Sequence, residues 1–92
     1  MTMIQILNRR TKSVIFEISA TAELVGASVG VRIGFAVRKA IETGAVLIDA
    51  DLTGADLTGA VLSYANLTRA VLTGAVLTRA VLTGAVLTSP LV

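Results

Sequence analysis

The chain has no cysteine, no histidine and no tryptophan among its 92 residues. Without cysteine there is no disulfide framework and no thiolate chemistry, which fits a reducing compartment. Without histidine the commonest general base and a frequent metal ligand are missing as well. Aromatic rings amount to Phe16, Phe35 and Tyr64, so any core is aliphatic, built from Leu, Val, Ile and Ala. Charge is also scarce: 15% of residues are charged and the net charge is +2. Residues 1–44 carry six Arg or Lys against three Glu, and residues 45–92 carry two Arg against Asp49, Asp51 and Asp56. Neither half has the field of a nucleic-acid binder. At 54% apolar residues, a disordered chain is excluded too.

High hydropathy raises the question of a membrane. The most apolar run outside the repeats, LVGASVGVRIGFAV, is interrupted by Arg32 and followed by Arg38 and Lys39, whereas a spanning helix needs about 20 apolar residues. In MTMIQILNRR the charges come after the apolar residues, the reverse of a secretory signal. The expectation is a soluble cytoplasmic protein without a membrane segment.

What the chain does have is a period of five. From Ala45 the sequence divides into AVLID, ADLTG, ADLTG, AVLSY, ANLTR, AVLTG, AVLTR, AVLTG and AVLTS, and Pro90-Leu91-Val92 follows. A helix advances about 100° per residue, so leucines five apart would smear around the cylinder and give no apolar stripe. A straight strand puts Ala and Leu on one face but also sends the fifth residue inward. That residue is Asp49, Gly54, Gly59, Tyr64, Arg69, Gly74, Arg79, Gly84 or Ser89, which is no core set. A turn in every unit removes the conflict, because the phase then slips once per five residues. The chain is expected to coil around an interior of Leu and Ala.

The run A-[DNV]-L-[TSI]-x over residues 45–89 resembles the pentapeptide-repeat family, whose pattern is Ala, Asp or Asn, Leu and two freer residues. The resemblance implies a mainly β fold, a right-handed quadrilateral parallel β-helix with four units per coil. Nine units then make just over two coils, rising on the order of 10 Å. The interior ladder is expected to be Leu47, Leu52, Leu57, Leu62, Leu67, Leu72, Leu77, Leu82 and Leu87. Two coils alone are marginal, since each buried Leu contributes about 1.5–3 kcal/mol while each ordered residue costs roughly 1–2 kcal/mol of backbone entropy.

Residues 1–44 are therefore read as a cap and residues 45–92 as the β-helix, the two forming one cooperative domain. MIQILN and SVIFEIS read as strands joined by the RRTK loop. ASVGVRIGFAVRKAIETG reads as a helix with Ser28 at its start and Gly44 at its end. Val29, Ile33, Ala36, Val37 and Ala40 form its apolar side; Val31 and Phe35 do not fit that side. Gly26, Gly30 and Gly34 are four apart and suit close docking on the first coil better than a helix–helix seam. Solenoids need such covers over their end layers.

No comparable cover follows Leu87. An open coil exposes apolar side chains and strand edges, and gyrase-protecting members of the family pair through their C-terminal coils. A homodimer is expected, with Leu87, Leu91 and Val92 at the contact. Val replaces the family's Asp or Asn before the central Leu in six of the nine units. Three readings of these valines stay open: strand propensity, a partner or self-assembly surface with Val61, Val81 and Tyr64 as its contacts, or an engineered consensus.

Chemistry is sparse. Asp49, Asp51 and Asp56 fall on different faces of a four-sided coil, so neither a catalytic pair nor a metal site is expected, and no cofactor. Asp49 and Arg69, one coil apart, would make a surface ion pair worth about 0–1 kcal/mol. NRRTK is a solvated turn, GVRIG lacks the Lys and Ser/Thr of a phosphate loop, and the acceptor sequence at Asn66 has no secretory signal to support glycosylation. The expected function is a non-enzymatic structural or interaction module that self-associates and has an unknown protein partner, with no membrane and no nucleic acid as partner. The alternative is a gyrase-binding mimic of DNA, against which the short rod and the valines argue.

Overall fold

The computed structural model describes residues 3–88. The chain begins with an antiparallel hairpin of β1 (Met3–Leu7) and β2 (Val14–Ser19). Its loop closes locally: the Asn8 side-chain oxygen accepts from the amides of Arg10 and Thr11. Ile4 and Ile6 pair with Ile18 and Phe16, and this apolar face joins the core. The pairing slips between Ile6 and Leu7.

Helix α1 (Val29–Glu42) follows a short 3-10 turn at Ala22–Leu24. The Ser28 hydroxyl accepts from the Val31 amide, satisfying one of the free donors of the first turn. At the other end the Gly44 amide bonds to Ile41 and the Ala45 amide to Ala40, with Gly44 at φ +80°. That pair of bonds around a left-handed residue is the Schellman motif. Ala36, Val37 and Ala40 are buried as the periodicity requires, but Val29 is 68% exposed. The expectation fails there: Val29 lines an open cleft with Gln5, Leu7, Asp51 and Thr53 instead of entering the core. Phe35, the aromatic misfit, has the Lys39 ammonium 5.5 Å from its ring centre.

From Ala45 the chain forms a β-helix solenoid. Parallel bridges join Asp51 to Val71, Asp56 to Val76, Val61 to Val81 and Asn66 to Val86, so units twenty residues apart stack on one another. Each unit ends in a turn whose Ala amide bonds to the Leu carbonyl three residues earlier, from Ala50–Leu47 to Ala85–Leu82. The fifth residue of each described unit before the last has positive φ: Gly54, Gly59, Gly74 and Gly84, and also Asp49, Tyr64, Arg69 and Arg79. The turn thus demands the left-handed conformation, where glycine has no Cβ penalty and other residues are strained.

Between stacked units three hydrogen bonds recur. The Val71 amide donates to Ala50, while the Leu52 and Gly54 amides donate to Val71 and Thr73. Inside, Leu47, Leu52, Leu57, Leu62, Leu67 and the alanines from Ala50 to Ala70 are buried. Leu72, Leu77, Leu82 and Leu87 are only partly buried, since they belong to the last coil.

Candidate interaction surface

Two joints and one face organise the surface. The first joint is between the N-terminal hairpin and helix and the first coil. Leu7 accepts from the Asp51 amide, the Arg9 amide donates to Asp49, Gly30 accepts from the Asp56 amide, and the Arg38 guanidinium donates to Thr58. Helix α1 reaches the coil because two of its residues have no side chain. A Cβ at Gly30 would overlap the Gly54 carbonyl oxygen, and one at Gly34 would overlap that of Asp56. Gly26 meets nothing and takes no part.

Asp49 anchors this joint. Its carboxylate accepts from the Arg69 Nε at 3.0 Å and Nη2 at 3.2 Å, and lies 3.4 Å from the Arg9 Nε. Asp49 is 8% exposed. The Arg69 hydrogen bonds hold its carboxyl below the usual aspartate range against the opposing effect of burial, with Arg9 adding to the shift. Asp49 also holds the Arg69 guanidinium above its ordinary value. The pair expected from the sequence is therefore part of a triad, a buried carboxylate between two part-exposed guanidiniums, that spans hairpin loop, first coil and second coil. Arg9 was missed because it lies 40 residues from Asp49 and outside any repeat.

Asp51 and Asp56 do not converge. Each accepts from the hydroxyl of the Thr two residues on, Thr53 or Thr58, at 2.6 Å, and from the same residue's amide at 3.1 Å. Those threonine bonds lower both carboxyl pKa values. Asn66 accepts from Thr68 in the same way. Among the described residues no three His, Cys, Asp or Glu come together to hold a metal ion.

The second joint is open. Among the described residues, the amides of Leu72, Gly74, Leu77, Arg79, Leu82 and Gly84 have no acceptor, although the equivalent amides of the first coil are all paired. Leu87 lies in this coil; Leu91 and Val92 fall outside the described residues. The face is the stack of units 60–64 and 80–84, where Val61 is 62% exposed, Val81 42% and Tyr64 77%. It bears no charged residue. The Tyr64 ring rests over Gly84, where a Cβ would collide with it. A cleft of about 280 Å³ beside it is lined by Arg38, Ile41, Glu42, Gly59, Ala60 and Val61. Among the described residues no helix is long and apolar enough to cross a membrane.

Pentads stacked at twenty-residue intervals around a Leu and Ala interior define a β-helix repeat protein. Residues 43–79 and 65–89 match the family model of pentapeptide repeats, in eight copies. The two spans together cover just over half of the chain, and the protein belongs to the pentapeptide-repeat family, whose members are generally non-enzymatic. Comparisons with curated proteins and with solved structures found no match.

Proposed function

We propose that this protein is a structural and interaction module, a right-handed quadrilateral β-helix that pairs with a second copy through its last coil. The observation that carries the reading is the open joint. Leu72, Leu77 and Leu82 are only partly covered, beside a row of amides without acceptors among the described residues. An uncovered edge of this kind invites strand pairing. Two-fold pairing closes after two copies, because the far end of each copy is already occupied by α1 and the hairpin. The four turns per twenty residues support the four-sided outline, and 1–44 serves as the cap of this unit.

Mimicry of DNA draws no support from the carboxylates. Asp49 is neutralised by two arginines, and Asp51 and Asp56 are turned onto their own threonines. The test is solution mass by light scattering across a range of concentrations. A fixed mass of twice the monomer is the expected result, and a monomer at every concentration rejects the pairing.

A further inference from the structure

We propose that the N-terminal cap is an autoinhibitory element: it covers a docking edge for a second copy of this chain, and lifting it lets copies stack head to tail. Head-to-tail stacking uses the same last coil as the two-fold pairing above but seats it on the first coil of another copy. The two arrangements therefore compete, and they are told apart by whether the mass stops at two copies.

The chain already contains the joint in question. Where units 60–64 and 80–84 stack, the Val81 amide donates to Ala60 at 2.9 Å, and the Leu62 and Tyr64 amides donate to Val81 and Thr83 at 2.8 and 2.9 Å. The last coil ends by offering the same groups as the first: the Ala80 carbonyl and the amides of Leu82 and Gly84. The first coil, on its other side, offers the Val61 amide and the carbonyls of Val61 and Ser63. These correspond one for one to the Val81 and Thr83 groups that complete the internal joint. The two ends of the solenoid are thus complementary in parallel order, offset by one unit because residues 85–88 already stack on 65–69, and they carry the same inward Ala and Leu in every unit.

The cap interrupts this match without reproducing it. A stacked unit makes three hydrogen bonds, or two where 65–69 lies on 45–49. The cap supplies single bonds from Leu7, Arg9, Gly30 and Arg38, spread over the first three units. The fourth unit receives none among the described residues: the Val61 amide and the Val61 and Ser63 carbonyls remain open, with Val61 62% exposed. That edge is a place for an incoming copy to land. What favours the cap is its covalent attachment, which gives it an effective concentration on the order of millimolar, together with the glycine contacts and the Arg9–Asp49 pair. A second copy is the occupant because its last coil carries the complementary groups in the required spacing.

The experiment lifts the cap in the full-length chain. Gly30→Ala with Gly34→Ala puts methyl groups against the carbonyl oxygens of Gly54 and Asp56, while alanine favours the helix itself. Mass by light scattering, hydrogen exchange over residues 29–42, and fibre diffraction are read together. The expected result is faster exchange in the helix, a mass that rises several-fold with concentration, and a meridional spacing of about 4.8 Å. Adding Leu82→Lys, which places a charge on the last coil, should abolish the growth. If the double variant loses its β circular dichroism, Arg38→Ala, which removes only the bond to Thr58, receives the same measurements. A mass independent of concentration in every folded variant overturns the proposal. Failure of the two-fold pairing would instead appear in the unmodified chain, as a monomer.

Discussion

A single backbone requirement governs this sequence at the residue scale. The fifth residue of each unit must take positive φ, and the chain meets that with Gly54, Gly59, Gly74 and Gly84 or tolerates it with Asp49, Tyr64, Arg69 and Arg79. Gly59 has nothing within reach of a Cβ, so replacing it isolates the conformational cost. Gly59→Val is expected to lower stability by about 1–2 kcal/mol, read by urea denaturation; an unchanged midpoint would mean that the turn has relaxed. The turn was legible because glycine recurs in phase with Ala and Leu. The hold on Asp49 was only half legible. Arg69 falls twenty residues on and can be found from the period, but Arg9 arrives from a hairpin whose path no repeat reveals.

At the scale of elements, the ladder is uniform in sequence and graded in structure. Leu57 is fully buried beneath the helix, while Leu82 in the last coil is only partly covered. Leu57→Ala is expected to cost about 2–5 kcal/mol and Leu82→Ala clearly less at low protein concentration. Pairing through the last coil would narrow that gap as concentration rises, which thermal melts at several concentrations would detect. The helix bounds were legible from Ser28 and Gly44. Its docking was legible from the four-residue spacing of Gly30 and Gly34, whose missing side chains set the contact, although Gly26 in the same series meets nothing. Hydropathy misled only at Val29, which it placed inside.

For the whole molecule, acid should act through the aspartates. Asp49, Asp51 and Asp56 all titrate lower in the folded chain than their ordinary value, which is about 3.9 in an unfolded peptide. As pH falls the unfolded chain therefore takes up protons first. Stability should be level above pH of about 5 and decline below about 4, down through the lowered folded values. Circular dichroism melts along a pH series would show it, and a decline that starts near neutrality would contradict it. High salt should mimic part of the loss for Asp49→Asn less than for the original chain, because the ion pairs are already gone. A coil with a turn in every unit was legible from the five-residue spacing; the number of units per coil came only from the family resemblance. The hairpin's placement was not legible, since it rests on contacts made once.

The twenty-residue stacking also bears on how such a chain can change its length over generations. A duplicated segment of twenty codons would add a complete storey and leave each existing stacked pair intact, including Asp49 over Arg69 if the copy is inserted beyond them. A slip of a single pentad between those two would instead turn the upper storey by one unit. The leucine interior, identical in every unit, would accept that, but aspartate and arginine would no longer meet. The interior is indifferent to such an editing error, and the few polar pairs on the outside keep count.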